Sequence, residues 1–375
     1  MKLFQPIQDS IESKETQENL IDRGQLQVNV TSSVNAFPVK EARISISYTG
    51  IPESILEQVV TDSSGQTEVV ELNAPPEEWS LDENEERQPY SEYTLNIEAE
   101  GFESISVSGT EILANTKAIQ NIRMKQKDQS REEEQVFVIP AHTLYGNYPP
   151  KIAEEEIKPV NETGEIVLSR VVVPEYIIVH DGSPRDSTAQ NYYVKYKDYI
   201  KNVASSEIYA TWPADTIRAN VLAIMSFTLN RVYTEWYRNK GFDFTITSST
   251  AFDHKWIPER NIFEPISVIV DELFADYLSR PNVRQPILTQ YCDGRRVSCP
   301  NWLTFLQERT NACNPLILLG LRLVVVIHFK EIIFFMVYNF LDNAFQNFIF
   351  GYIVNRFRTY NIIDIPNTFQ HVRFC

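Results

Sequence analysis

The chain has 375 residues and a net charge of −16, with 50 acidic against 34 basic side chains; that length allows two or three domains with real cores. The charge argues against nucleic acid, whose binding needs a basic face, but leaves neutral polysaccharide open, since sugars are held by aromatics and hydrogen bonds. Four cysteines are too few for a disulfide framework in a chain this size, and the stretch from Met1 to Gly24 lacks the apolar core of a signal peptide.

Residues 1–23 form a polar N-terminal segment. From Gly24 the apolar period becomes two: Leu26, Val28 and Val30, then Ala42, Ile44, Ile46 and Tyr48. Tyr93, Leu95, Ile97 and Ala99 follow, with Ile105 and Val107 after the Gly101 turn, and a last strand runs through Ile119, Ile122 and Met124. Asp62 to Gly65 is a turn by residue type. Short alternating strands at this spacing predict a small antiparallel β-sandwich over residues 24–124. Pro38-Val39 before a strand, the Asp62 turn, the Tyr93 to Ala99 alternation and Gly101-Phe102 together resemble the transthyretin-like, carboxypeptidase-regulatory type of module. No catalytic constellation lies in it, so a stability, inhibitory or targeting role is expected.

Residues 125–170 read as a linker or pro-segment. Lys125 to Gln135 contains no apolar residue and is either a plain spacer or a protease-accessible processing site. The stretch from Val136 to Pro174 is punctuated by four prolines before Pro174 and carries the acidic run Glu154 to Glu156; it reads as a connector lying on the following domain.

Residues 171–305 predict an α+β domain. Val171 to Gly182 is a buried strand ending in a turn, and His180-Asp181 has the residue types of a catalytic pair, although a histidine at a strand end is more often structural. A short apolar run then ends at Glu207. Pro213 opens a helix whose apolar face is Ile217, Val221, Ile224, Met225, Thr228, Val232 and Trp236. Phe242 to Thr247 alternates as a strand and leads into the hydroxyl tract Ser248-Ser249-Thr250, then Asp253-His254. A second helix is predicted over Ile266 to Leu278, and Ile287 to Tyr291 reads as a strand reaching Cys292.

The carboxylate chemistry stands out. Glu207 sits among Tyr209, Trp212 and two serines, a setting in which partial desolvation would raise its pKa and let it protonate a glycosidic oxygen. Ordinary glycosidases need two carboxylates; one suffices where the substrate supplies its own nucleophile. The competing reading is a structural glutamate near a helix start. Cys292 and Cys299 are close enough to pair or can stay reduced, and their spacing without a histidine pair is weak for zinc. With 12 glycines, none suitably clustered, there is no phosphate-cradling loop.

At this point the residues resemble a known family. Tyr199-Ile200-Lys201-Asn202-Val203-Ala204-Ser205-Ser206-Glu207-Ile208-Tyr209-Ala210-Thr211-Trp212-Pro213, followed by Ile217-Arg218-Ala219-Asn220-Val221-Leu222-Ala223, looks like the signature of the stage II sporulation protein D family of peptidoglycan lytic transglycosylases. Val173 to Gly182 and Gln290 to Val297 bring it nearer to clostridial spore cortex-lytic enzymes of the pre-pro type; the likeness covers about residues 24–303.

The resemblance implies that Glu207 is the catalytic acid, protonating the oxygen between N-acetylmuramic acid (or its δ-lactam) and N-acetylglucosamine. The sugar's own C6 hydroxyl then closes a 1,6-anhydro ring. Tyr209, Trp212, Ser248, Ser249, Thr250, Gln290 and Tyr291 would line the glycan groove. Ser249 stands where some relatives carry a zinc-binding cysteine, five residues before His254, so no metal or other cofactor is expected. The implied setting is the spore cortex or coat, the implied partners are cortex peptidoglycan and a germination protease that processes a zymogen, and the cut is expected between Lys125 and Val171. A non-catalytic peptidoglycan-binding or partner-docking protein is the alternative.

Residues 306–375 change character. From residue 310 onward there are three acids against five basic residues, and ten of the 21 phenylalanines. Leu316 to Phe340 is apolar but interrupted by Arg322, His328, Lys330 and Glu331, a poor membrane span. This aberrant apolar tail resembles translation in a wrong reading frame, with a membrane-associating tail as the alternative. Either way the end of the catalytic domain and the wall-binding module of the family are expected to be missing.

Overall fold

The computed structural model describes residues 21–82, 85–127, 134–142, 144, 166–279 and 284–289, and four two-residue strands further on, β13 (Tyr291–Cys292), β14 (Leu303–Thr304), β15 (Ile327–His328) and β16 (Ile333–Phe334). It is a β-rich part followed by a smaller α+β part.

The β-rich part follows the period-two pattern. Along β1 (Asp22–Ser32) every second residue from Gly24 to Ser32 is buried, as alternation on a half-buried sheet requires. Its neighbours are β4 (Val70–Ala74) on one side and β7 (Lys117–Met124) on the other. A second sheet is built from β2 (Arg43–Tyr48), β3 (Ile55–Val60), β5 (Tyr90–Glu98), β6 (Ile105–Leu113) and β8 (Gln135–Val138), in the order β3-β2-β5-β6-β8. Leu26, Val28, Ile44, Leu95, Ile97 and Val107, drawn from both sheets, belong to one apolar core. The Asp62 turn forms as expected: Asp62 Oδ1 accepts the Ser64 and Gln66 amides at 2.8 and 3.0 Å.

Two features depart from the antiparallel expectation. β1 pairs with β7 in parallel, and β6 pairs with β8 in parallel. Parallel pairing needs a long connection between partners; all of β2 to β6 separates β1 from β7, while the run from Ala114 to Glu134 separates β6 from β8. Period-two alternation marks which face is buried but not strand direction, so the sequence pattern could not register this.

The α+β part contains β9 (Tyr176–His180), β10 (Asn191–Lys195), α2 (Tyr196–Glu207), α3 (Ala214–Tyr233), β11 (Ile246–Thr247), β12 (Ile262–Phe263) and α4 (Glu264–Leu273). A short helix α1 (Glu77–Leu81) belongs to the β-rich part. Strand β9 runs between β10 and β11. The stretch before Glu207, expected only as an apolar run, is a full helix: Tyr196, Tyr199, Ile200 and Val203 fall at three- and four-residue spacing and are buried. Buried Asn202, Ser205 and Ser206 interrupt the apolar stripe and hide its period.

Both helices expected from periodicity end early. α3 stops at Tyr233 because Glu235 turns left-handed (φ 46°), and Trp236 folds back so that its amide reaches the Arg231 carbonyl at 3.2 Å. α4 stops at Leu273, where Phe274 has φ 34°. Strand β12 does not stay with its own part: it adds antiparallel to β7, with Ile262 opposite Ile119 and Phe263 opposite Ala118. The connector is likewise shared. Its Gln135–Val138 stretch is β8, on the preceding part rather than the following one, whereas Ile166 and Leu168 lie on the following part through Asn239 and Tyr233. Among the described residues no helix is long and apolar enough to cross a membrane.

Candidate active site

Glu207 is the last residue of α2, so a rigid buried helix carries its Cα. Two contacts outside the helix place that end. Arg260 donates from Nε and Nη2 to the Ser205 carbonyl at 3.2 and 2.8 Å, satisfying one of the carbonyls a helix C-terminus leaves open and putting a cation where the helix dipole favours it. Lys255 donates its backbone N–H to Glu207 Oε1 at 2.7 Å. Asn202, one helical turn before Ser206, fixes the donor loop: its amide group exchanges two hydrogen bonds with the backbone of Ile257, at 2.8 and 3.0 Å.

The loop that ends at Lys255 starts from the hydroxyl tract. Ser248 Oγ donates to Asp181 Oδ1 at 2.8 Å, and the Ser249 carbonyl accepts the Asp253 amide at 2.8 Å. Asp253 anchors the loop from inside. It accepts Arg231 Nε at 2.7 Å, the Tyr237 hydroxyl at 2.5 Å and the Thr247 amide and hydroxyl at 2.9 and 2.7 Å. Burial, then the Asp253 charge, raises the Tyr237 hydroxyl far above its ordinary value, so it stays a donor. Ser248, Ser249 and Thr250 are half-buried on this loop, which joins them in sequence to the group that orients Glu207.

The aromatic neighbours are engaged. Tyr209 is only 6 % exposed; its ring lies 4.8 Å from that of His142 and 6.0 Å from that of Trp212. Trp212 donates its indole N–H to the Ser80 carbonyl in α1 at 3.0 Å, and Thr211 shares a 2.7 Å hydroxyl contact with Ser80. The two rings expected to carry sugar therefore face the β-rich part and the connector. Gln290 lies outside the described residues; Tyr291 is in β13, backbone-paired with Leu303, and its side chain is outside them.

His180 and Asp181 do not act on each other. His180 Nδ1 meets Asn191 Oδ1 at 2.8 Å and its ring stacks on Phe244 at 4.4 Å, the structural role usual for such a histidine. A separate cavity of about 210 Å³ lies beyond the end of α3, lined in part by Tyr176, Trp236, Tyr237 and Phe244; it contains none of the residues expected to bind glycan.

One cluster escaped the sequence reading. Glu111 of β6, fully buried, receives both terminal nitrogens of Arg260, Nη1 at 2.6 Å and Nη2 more closely. Asn261 clamps the Glu111 backbone with two hydrogen bonds of 3.0 Å. His142, from the connector, touches the same group, with Nδ1 3.1 Å from Arg260 Nη2 and 3.3 Å from Glu111 Oε2. Arginine only donates and a carboxylate only accepts, so His142 Nδ1 is placed between one donor and one acceptor. Burial pushes His142 down to about 4, against the pull of Glu111. Burial pushes the Glu111 carboxyl up, but Arg260 and then His142 outweigh it and hold it below the ordinary range. The available signal was a charged residue inside the Thr110 to Leu113 run, every position of which is buried.

No family model matches the chain, and no curated protein matches it. Among solved structures, the Bacillus anthracis TIE protein is similar at 14 % identity over 28 % of this chain and 17 % of its own length, TM-score 0.19. Wild-type catechol 1,2 dioxygenase of Acinetobacter radioresistens is similar at 11 % identity over 32 % and 59 %, TM-score 0.20. An (S)-allantoin synthase is similar at 14 % over 28 % and 44 %, TM-score 0.19. The chain thus spans less than two thirds of each, and likenesses of this size assign neither family nor activity.

Proposed function

We propose that the chain is the zymogen of a spore cortex-lytic peptidoglycan transglycosylase, with Glu207 as its acid and base. In this reading the β-rich part is a transthyretin-like sandwich and the α+β part is the catalytic domain. The observation that supports it best is the seating of Glu207: one carboxylate at the end of a buried helix, with Oε1 held by the Lys255 N–H.

The chemistry follows from that single group. Glu207 gives its proton to the oxygen linking muramic acid to N-acetylglucosamine as the C1–O bond breaks. The resulting carboxylate then takes the proton of the muramic C6 hydroxyl while that oxygen bonds C1, closing the 1,6-anhydro ring; no water is consumed. Ser248, Ser249, Thr250, Gln290 and Tyr291 are assigned to the glycan groove. Engagement of Tyr209 and Trp212 by the β-rich part and connector suits a precursor that a germination protease must open. No cofactor enters. Digestion of cortex peptidoglycan with the processed protein is expected to release 1,6-anhydromuramic ends, read by mass spectrometry; reducing ends would make it a hydrolase, and no release would end the enzyme reading.

The engagement of Trp212 and Thr211 by Ser80 also favours a second reading, in which these motif side chains serve packing and the protein binds peptidoglycan or a partner without catalysis. Sedimentation with cortex unaltered by Glu207→Gln, with no product from either form, would select it.

A further inference from the structure

We infer that the two parts are permanent partners: a cut in the connector nicks the chain but does not release the β-rich part. That such a cut occurs in life rests on the zymogen reading; the interface does not. The junction is built like an interior. Strand β12 extends the first sheet through β7, and Phe263 at its end is fully buried. Strand β8 extends the second sheet through β6, and Ile139, just beyond it, is buried with its amide on the Ser108 carbonyl at 2.8 Å.

A cut in the polar run from Lys125 to Glu134, ahead of β8, would leave both added strands on the C-terminal fragment. That fragment would then contribute one strand to each sheet of the N-terminal fragment, the mode by which separate chains associate through backbone pairing. The polar contacts between them are buried as well: Arg260 on Glu111, Asn261 on the Glu111 backbone, and Gln120 Nε2 on the Glu259 carbonyl at 2.8 Å. Separation would strand Arg260 and Glu111 without their partners and expose Phe263. Processing would therefore change the freedom of the segment around Ala141 and His142, which lies against Lys255 and Tyr209, rather than strip off a domain.

The test uses the full chain with a site for a sequence-specific protease inserted after Lys127. After cutting, both fragments are expected to co-elute in gel filtration, to show the summed mass by native mass spectrometry, and to separate only in denaturant. Arg260→Ala in the same background is expected to raise the dissociation constant of the nicked halves by on the order of a hundredfold or more. Two separate peaks in native buffer from the unsubstituted nicked chain would overturn the inference. Hydrogen exchange on the unaltered chain gives an independent reading, with residues 117–124 and 260–270 expected to share one slow class; fast exchange of 260–270 beside a protected 117–124 would also overturn it. Neither readout needs activity on peptidoglycan, so failure here and failure of the transglycosylase reading are seen separately.

Discussion

Arg260 grips Glu111 with both terminal guanidinium nitrogens, 149 residues apart in sequence, and the same guanidinium holds the Ser205 carbonyl two residues before Glu207. The β-rich part thereby fixes the helix end on which the candidate acid sits. Removing one member of a buried ion pair leaves the other charge uncompensated, at a cost of about 3–5 kcal/mol. Arg260→Ala and Glu111→Ala are each expected to lower unfolding free energy by about that much in urea titrations. The pair Arg260→Met with Glu111→Leu is expected to lose less than the two single changes added together.

The same cluster makes stability pH-dependent. His142 falls from its ordinary 6.5 to about 4 through burial, with Arg260, Lys255 and Glu111 as the charges acting on it. Between those values the unfolded chain binds the extra proton, so stability rises with pH across the window. The contribution is complete above pH 6.5, is lost as pH falls toward 4, and is worth about 3 kcal/mol. The lowered Glu111 carboxyl acts in the same direction, adding a loss below its ordinary value of 4.5. Urea midpoints should hold level from pH 7.5 to 6.5 and fall from 6.5 to 4, and His142→Leu should flatten that slope.

Gly109 reports on the connector. It has φ 90°, occupies the irregularity in the β5–β6 register, and a Cβ there would stand 2.4 Å from the Ile139 carbonyl. Gly109→Ala meets both a left-handed backbone and a backbone clash. A loss of about 1–3 kcal/mol is expected, with faster proteolysis at residues 135–142 than in the parent. Unchanged cleavage there would mean Ile139 is not held as described.

The pattern of residues disclosed some of this and concealed the rest for identifiable reasons. Leu26, Val28 and Val30 announced a half-buried strand, and Ile217, Val221 and Ile224 a helix, because each periodicity is local. Strand direction is not local, so β7 beside β1 was assigned the wrong sense. α2 stayed hidden because Asn202, Ser205 and Ser206 occupy its buried face, where the polar side chains meet backbone: Asn202 pairs with Ile257, and Ser205 Oγ accepts the Phe263 amide. Glu207 was legible as a carboxylate among aromatics. That Tyr209 and Trp212 turn toward His142 and Ser80 was not, since those partners come from 67 and 132 positions away.

The central claim is that one carboxylate, Glu207, does both proton transfers. Glu207→Gln keeps the Oε1 acceptor for the Lys255 N–H and removes the transferable proton, so folding should be preserved by thermal melt. Processed wild-type and Glu207→Gln protein, incubated with cortex peptidoglycan, are to be compared for 1,6-anhydromuramic ends by mass spectrometry. The expected result is release by wild type and a loss of at least about a hundredfold in the variant. Equal release by both, or release by neither, would contradict it.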